Sequence, residues 1–236
     1  MNDRQLSKRL QRVAAYVPKG SKTADIGSDH AYLPCYLCLE DQTAKAIAGE
    51  VNEGPYLSAV SQVRQSGLTD RISVRMGNGL EVIEHADQVN VITIAGMGGA
   101  LITSILEDGK DKLKEVDRLI LQPNVSAITI REWLDREGWS LASEEIIEED
   151  DKIYEILVAD RGENVMLYEE DRKKKMLLGP YLINEMNEAF QKKWTYEMKN
   201  WERILTQFER ATETPELSAK KDELKHKIKM VQEVLR

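Results

Sequence analysis

Two kinds of hydrophobic pattern alternate along roughly the first 160 residues of the chain. Short apolar runs predict seven strands, over residues 22–26, 44–49, 72–76, 89–94, 119–122, 139–147 and 152–159. Apolar positions at helical spacing predict four helices between them, over residues 32–40, 54–66, 100–108 and 126–137. Strands that alternate with helices pair in parallel, so the pattern predicts an open, doubly wound α/β sheet. The last two strands have no helix between them and predict an antiparallel hairpin at the sheet edge.

The two ends of the chain have helical patterns. Residues 3–17 predict an amphipathic helix whose polar face is basic. After residue 162, apolar side chains from Tyr181 to Phe208 recur at spacings of mostly three and four. Residues 212–215 interrupt this pattern, which then resumes as far as Leu235. We therefore expect a domain of residues 1–162 and a C-terminal α-helical coiled-coil hairpin of residues 163–236.

Charge and cysteine usage narrow the class of protein. The net charge is −8, but residues 1–22 carry six basic side chains and one acidic one, so a polyanion would bind the ends of the chain. Cys35 and Cys38 lie in an apolar run without the further ligands that a zinc site needs, which indicates buried free thiols and no metal. We find no signal peptide and no membrane-spanning run, and we expect a cytoplasmic protein with no obligate protein partner.

The first strand ends in a sequence that is typical of a nucleotide-binding turn. Asp25 ends the strand, and Gly27 lets the backbone approach a ligand closely. A pyrophosphate-binding G-x-G-x-x-G is absent, because Asp29 stands where the second glycine would be. Carboxylates at this turn repel a pyrophosphate and attract an ammonium group. The substitution therefore favours S-adenosylmethionine over a dinucleotide.

Polar or glycine residues follow the other parallel strands at the same expected edge. Glu50 ends the second strand, where a carboxylate can accept both ribose hydroxyls of an adenosine. Asn78 follows the third strand, where an amide can bind the adenine edge or simply form a turn. Gly96 lies in a glycine run after the fourth strand, and Gln122 and Asn124 place amides at the end of the fifth.

Four segments together resemble one family. Residues 6–10, 24–34, 94–99 and 121–124 are similar to the corresponding motifs of the bacterial tRNA (adenine-22-N1)-methyltransferases, the TrmK family of class I methyltransferases. The resemblance implies a Rossmann-like seven-stranded methyltransferase sheet, S-adenosyl-L-methionine as cofactor, tRNA as substrate and methylation of adenine N1. Asn78 departs from the aspartate that many methyltransferases have at this position.

This resemblance leads to specific expectations for the site. Adenine N1 is unprotonated at neutral pH, so positioning and electrostatic stabilisation of the cationic product supply the catalysis. Asp29 is expected to stabilise that charge or to contact the cofactor ammonium, Asn124 to bind the base edge, and Tyr32 to stack on the base. The expected cofactor-binding residues are Asp25, Gly27, Ser28, Asp29, Glu50, Asn78, Gly79, Ala95, Gly96 and Met97. The expected RNA-binding residues are Lys8, Arg9, Arg12, Lys173, Lys174, Lys192 and Lys193.

Three alternatives stay open from the residues alone. A nicotinamide-dependent oxidoreductase uses a similar sheet, although the missing G-x-G-x-x-G counts against it. A non-catalytic module could keep the cofactor fold to bind RNA or protein, and a small-molecule methyltransferase would carry a lid rather than a projecting hairpin. The absence of an Asn/Asp-Pro-Pro-aromatic tetrad argues against methylation of an exocyclic amine.

Overall fold

A computed structural model describes residues 5–162, 167–209 and 212–236, and its centre is one sheet of seven strands. The strand order is β3-β2-β1-β4-β5-β7-β6, in which the first five strands are mutually parallel and β7 runs antiparallel to both of its neighbours, β5 and β6. The predicted sheet and its antiparallel final hairpin are confirmed. The strands are β1 Lys22–Ile26, β2 Lys45–Glu50, β3 Ile72–Met76, β4 Val91–Gly98, β5 Arg118–Val125, β6 Trp139–Glu149 and β7 Lys152–Arg161.

Helices cover both faces of this sheet. Apolar side chains of α1 and α2, such as Val13 and Leu33, pack with Ile120 on one face. On the other face, Ile102 of α4 and Trp133 of α5 pack against the strand core. The helices before the hairpin are α1 Lys8–Ala15, α2 Tyr32–Glu40, α3 Glu53–Gln65, α4 Gly99–Asp108, α5 Ala127–Arg136, α6 Arg172–Leu178 and α7 Leu182–Glu185.

The predicted buried thiols are confirmed. Cys35 and Cys38 lie on α2, where both are buried and neither forms a disulfide. Removal from water disfavours the thiolate, so burial raises the pKa of Cys38 to about 11.

The C-terminal hairpin consists of α8 Glu188–Phe208 and α9 Pro215–Leu235. Phe190 near the start of α8 packs with Val231 near the end of α9, so the two helices run antiparallel. Asn187 caps α8 by accepting from the Phe190 amide, and Thr214 caps α9 in the same way. None of the described helices has both the length and the apolar character that crossing a bilayer requires.

The start of the hairpin differs from the sequence prediction. The apolar run that begins at Tyr181 is divided, because α7 ends at Glu185 and Met186 adopts a left-handed conformation (φ 42°). The basic run that begins at Arg172 forms the separate helix α6, which packs on α5. Helical spacing continues across this break, so periodicity alone does not reveal it.

A buried charge cluster joins the hairpin to the sheet. The Arg131 guanidinium is fully buried and pairs with Glu144, at 2.6 Å, and with Glu155. Lys193 of α8 also pairs with Glu155. Arg131 donates in addition to the Met176 carbonyl of α6, at 3.2 Å. The cluster therefore fixes α6 and α8 against β6 and β7.

Candidate active site

The candidate site is a crevice at the carboxyl ends of the parallel strands. β1 lies between β2 and β4, and the order of the strands reverses between β1 and β4. At such a switch point the connections leave on opposite faces of the sheet and open a crevice for ligands. The strand ends that border it carry Asp25, Glu50, Gly96 and Asn124.

Asp25 is a buried carboxylate at the base of this crevice. Its two oxygens accept hydrogen bonds from the hydroxyls of Ser28 and Thr93, each at 2.7 Å. Burial raises the pKa of Asp25 above its ordinary value, and these hydrogen bonds and the charge of Arg9 oppose that shift. The carboxylate therefore gains from a cationic ligand. Sequence reasoning did not identify Thr93, whose signal is a single polar residue inside an apolar strand.

The turn after β1 brings Glu50 next to Asp29. Gly27 has a φ of 70°, and its amide donates to the Gly49 carbonyl at 2.9 Å. Glu50 is buried and accepts from the Asp29 backbone amide. Burial raises the pKa of Glu50 above its ordinary value. The two predicted carboxylates at the ends of β1 and β2 thus lie at one turn.

The residues after this turn present the polar groups predicted for catalysis. Asp29, His30 and Ala31 all have positive φ, between 38° and 58°, which is rare for residues with a Cβ and recurs at functional sites. The Asp29 side chain is 73% exposed, and its Oδ1 lies 3.4 Å from His30 Nε2. The His30 ring stacks on Tyr32, with ring centroids 5.3 Å apart. An exposed carboxylate and a stacked ring pair therefore border the crevice mouth.

The opposite wall is a bulge at the ends of β4 and β5. Ala95 pairs with Gln122 and Met97 with Pro123, so Gly96 is the extra residue of the bulge, with a φ of 80°. Its amide donates to Gln122 Oε1 at 3.0 Å, and its carbonyl accepts from Asn124 Nδ2 at 2.7 Å. The two amides predicted to enter the crevice therefore hold its wall.

The remaining predicted cofactor residues lie along the same edge. Asn78 is exposed after β3, and its backbone N–H donates to Glu81 Oε2 at 3.2 Å. Gly79 has a φ of 55° and fits closely against Ile105, whose Cγ2 would be 3.0 Å from an added Cβ. Met97 lies over Gly27, so close that a Cβ on Gly27 would be 2.1 Å from Met97 Cε.

Most of the predicted RNA-binding side chains have intramolecular partners. On α1, Arg12 pairs with Glu145 at 2.7 Å, and Lys8 Nζ donates to the Glu148 carbonyl at 3.0 Å. Arg9 does not point outward with them, because its guanidinium donates to Gln122 inside the crevice. The sequence cannot reveal this, since the acidic partners lie on β6, far along the chain.

The hairpin lysines show the same behaviour. Lys192 pairs with Glu148, and Lys193 pairs with buried Glu155. Lys174 pairs with Asp171 and with Glu233, and both of these distances are 3.2 Å. Lys173 is exposed. The prediction that these side chains bind RNA stays a prediction, and for the paired ones it requires ion pairs to exchange.

The chain is similar to a known protein family along most of its length. A family model described as TrmK, tRNA (adenine(22)-N(1))-methyltransferase, matches residues 23–233. The chain belongs to the TrmK family. A tRNA (adenine(22)-N(1))-methyltransferase of Bacillus subtilis is 51% identical over 236 residues, covering 100% of this chain and 99% of that protein.

Solved structures agree with this membership. The crystal structure of the B. subtilis TrmK superposes with a TM-score of 0.93 at 51% identity, covering 99% of this chain and 100% of the other. A Streptococcus pneumoniae protein in complex with S-adenosyl-L-methionine superposes with a TM-score of 0.86 at 43% identity, covering 98% of this chain and 100% of that one. The predicted family, Rossmann-like fold, methyltransferase activity and cofactor are confirmed.

The described residues fit this cofactor. Its α-ammonium matches the buried carboxylate of Asp25, and its ribose hydroxyls match Glu50 as an acceptor. Gly27 and Gly96 add no Cβ to the walls of the crevice, and Met97 is the side chain that lies over Gly27.

Proposed function

We propose that this chain transfers the methyl group of S-adenosyl-L-methionine to N1 of the adenine at position 22 of tRNA, in the cytoplasm. The observation that carries the proposal is the pair of buried carboxylates, Asp25 and Glu50, at the switch point of a sheet whose family model covers residues 23–233. We further propose that residues 1–162 form the catalytic domain and residues 163–236 the hairpin domain.

The cofactor would lie along the strand ends in a defined orientation. S-adenosyl-L-methionine supplies an electrophilic methyl group on its sulfonium. Asp25 accepts from the ammonium group, and Glu50 accepts from the ribose hydroxyls. The Asn78 amide binds the adenine edge. The backbone of Gly27, Ser28, Gly79, Ala95, Gly96 and Met97 lines the groove between these ends.

The target base is held by the two sides of the crevice mouth. Asn124 Nδ2 is bound to the Gly96 carbonyl, which orients the side chain and leaves Oδ1 to accept from the exocyclic amine of adenine. Tyr32, already stacked on His30, offers an aromatic face to the base. These contacts direct N1 toward the methyl group, and this positioning is the main source of catalysis.

Charge stabilisation completes the mechanism. Adenine N1 would attack the methyl carbon with its own lone pair as the carbon–sulfur bond breaks and S-adenosyl-L-homocysteine leaves, so no side chain has to remove a proton and the methylated base carries a positive charge. The Asp29 carboxylate at the crevice mouth stabilises that charge as it develops. Because Asp29 is 73% exposed, solvent screens the interaction and its contribution is moderate.

The tRNA approaches between the crevice and the hairpin. N1 is inaccessible in a stacked, paired base, so the adenine must turn out of its stack. A cleft beside Asn124 is lined by Val125 of β5 and by Lys192 and Tyr196 of α8. Val125 is 64% exposed and Tyr196 70% exposed, which suits stacking with unpaired bases. We propose that Lys8, Arg12, Lys173, Lys174, Lys192 and Lys193 contact the phosphates around it.

Variants at the crevice mouth test these roles. We expect Asp29→Asn to lower kcat about tenfold, because the charge develops only in the transition state. Asn124→Ala is expected to lower kcat/KM about 10–100-fold through the lost contact to the base. Asn184→Ala, on α7, is the control for Asn124→Ala, and the dissociation constant of S-adenosyl-L-homocysteine should change in none of the three. Unchanged kinetics for both crevice variants would refute the assignment.

A further inference from the structure

Arg9 is the one predicted RNA-binding residue of α1 whose side chain enters the crevice. Its guanidinium donates to Gln122 Oε1, and Gln122 is fully buried. Arg9 Nη1 would lie 3.6 Å from a Cβ added to Gly96, so the group reaches the bulge of β4. On its other side, Arg9 Cζ lies 5.3 Å from the centroid of the Tyr154 ring.

The guanidinium of Arg9 lacks a carboxylate partner, unlike that of Arg12 on the same helix. Arg12, Arg75, Arg118 and Arg131 each pair with a carboxylate at 2.6–2.7 Å. Among the residues that the structure describes, no carboxylate lies within 4.0 Å of the Arg9 guanidinium. Gln122 and Tyr154 satisfy one donor and one face of a group that has five N–H donors in a planar fork. Such a half-buried group is suited to an anion with two coplanar oxygens.

The charges around Arg9 distinguish between two kinds of anion. Arg9 acts electrostatically on Asp25, so a positive and a negative group face the same part of the crevice. An α-amino acid head carries an ammonium and a carboxylate on one carbon and complements this pair. A phosphate complements Arg9 alone and is repelled by Asp25, Asp29 and Glu50.

We propose that Arg9 binds the α-carboxylate of S-adenosyl-L-methionine, with Gln122 and Tyr154 holding the guanidinium in place. The proposal rests on the function proposed above, in which this compound is the methyl donor. It makes α1 part of the cofactor site. The Glu149 carboxylate fixes the start of that helix by accepting from the backbone amides of Lys8 and Arg9.

The test compares two ligands without tRNA. S-adenosyl-L-homocysteine carries the carboxylate, and its decarboxylated analogue, S-adenosyl-3-thiopropylamine, does not. We expect Arg9→Gln to weaken binding of the first, measured by calorimetry, by about 10–100-fold, the range of a charge-assisted hydrogen-bonded pair. Binding of the decarboxylated ligand should change less than about threefold, and Arg9→Lys should restore part of the discrimination.

Arg12→Gln is the matched control, because Arg12 lies on the same helix but pairs with Glu145 outside the crevice. It should change the affinity of neither ligand. Equal losses for both ligands in Arg9→Gln would overturn the proposal, since they would indicate a general disturbance of the crevice. Unchanged S-adenosyl-L-homocysteine binding with weakened tRNA binding would also overturn it and would assign Arg9 to a phosphate of the RNA.

The outcome is separable from that of the proposed function. If the parent protein bound neither ligand, the donor itself would be wrong and the proposed function would fail. If the parent bound S-adenosyl-L-homocysteine and only the discrimination in Arg9→Gln were missing, the function would stand and the role of Arg9 would be refuted. Thermal unfolding of each variant verifies that it is folded at the temperature of the titration.

Discussion

Replacement of Arg131 by methionine tests how the hairpin is fixed to the sheet. The substitution keeps an unbranched side chain but removes the charge that Glu144 and Glu155 share. Leaving a buried carboxylate without its partner costs about 3–5 kcal/mol. Whole domains are stable by only about 5–15 kcal/mol, so we expect Arg131→Met to lose a large part of the free energy of unfolding.

The pH dependence of this loss follows from the same burial. Burial raises the pKa of Glu144 even with Arg131 present, and loss of the guanidinium raises it further. A carboxyl whose pKa is higher in the folded than in the unfolded protein destabilises the fold once the pH exceeds the unfolded value. The deficit of Arg131→Met should therefore be largest at neutral pH and should shrink as the pH falls through the raised pKa of Glu144.

Urea unfolding measures both effects, with the fluorescence of buried Trp133 and Trp194 as the signal. Arg131→Met/Glu144→Met is the matched control, because it removes both partners of one pair and leaves Glu155 with Lys193. It should recover most of the lost stability. A deficit below about 1 kcal/mol at neutral pH in Arg131→Met would show that these buried pairs contribute no more than exposed pairs do.

Three further predictions concern the crevice and α2. Gly99→Ala should destabilise the protein by about 1–3 kcal/mol in the same urea assay, because its Cβ would lie 2.1 Å from the Ser126 carbonyl oxygen. Gly98→Ala is the control and should be tolerated, because the nearest atom to its Cβ would be 3.8 Å away. Equal stability of the two variants would contradict this difference in packing. The affinity for S-adenosyl-L-homocysteine, measured by calorimetry, should fall as the pH drops through the raised pKa values of Asp25 and Glu50, because the two carboxylates then lose the charges that bind the ammonium and ribose groups. A flat profile would count against these contacts. Cys38 should resist iodoacetamide at about pH 8 in the folded protein and react after unfolding, because burial raises the pKa of its thiol to about 11. Rapid alkylation of the native thiol would contradict this prediction and show that the thiol is accessible.

The architecture could be predicted from the sequence because strands and helices have hydrophobic patterns that span only a few residues. The strands over residues 22–26 and 72–76 were predicted with the bounds that the structure has. β4 and β5 extend past their apolar runs, as Met97 pairs with Pro123 and Gly98 with Val125. Glycine and proline carry no strand propensity of their own, so pairing between distant segments extends these strands beyond what the local pattern predicts.

The direction of charged side chains was the least predictable feature. Arg9 and Arg12 share one basic helix in the sequence, yet Arg9 reaches Gln122 in the crevice and Arg12 pairs with Glu145. The partners lie 113 and 133 residues away in sequence, respectively. The predicted carboxylates Asp25 and Glu50 did converge, because parallel strands bring their carboxyl ends to one edge of the sheet.

A single labelling experiment can test whether the protein methylates adenine N1 at position 22 of tRNA. The protein is incubated with labelled S-adenosyl-L-methionine and an unmodified tRNA that has adenine at position 22, beside the same tRNA with guanine there. Nucleoside digestion should yield label in 1-methyladenosine from the first tRNA and no label from the second. Label in any other nucleoside, or equal label in both tRNAs, would show that the target is not N1 of adenine 22.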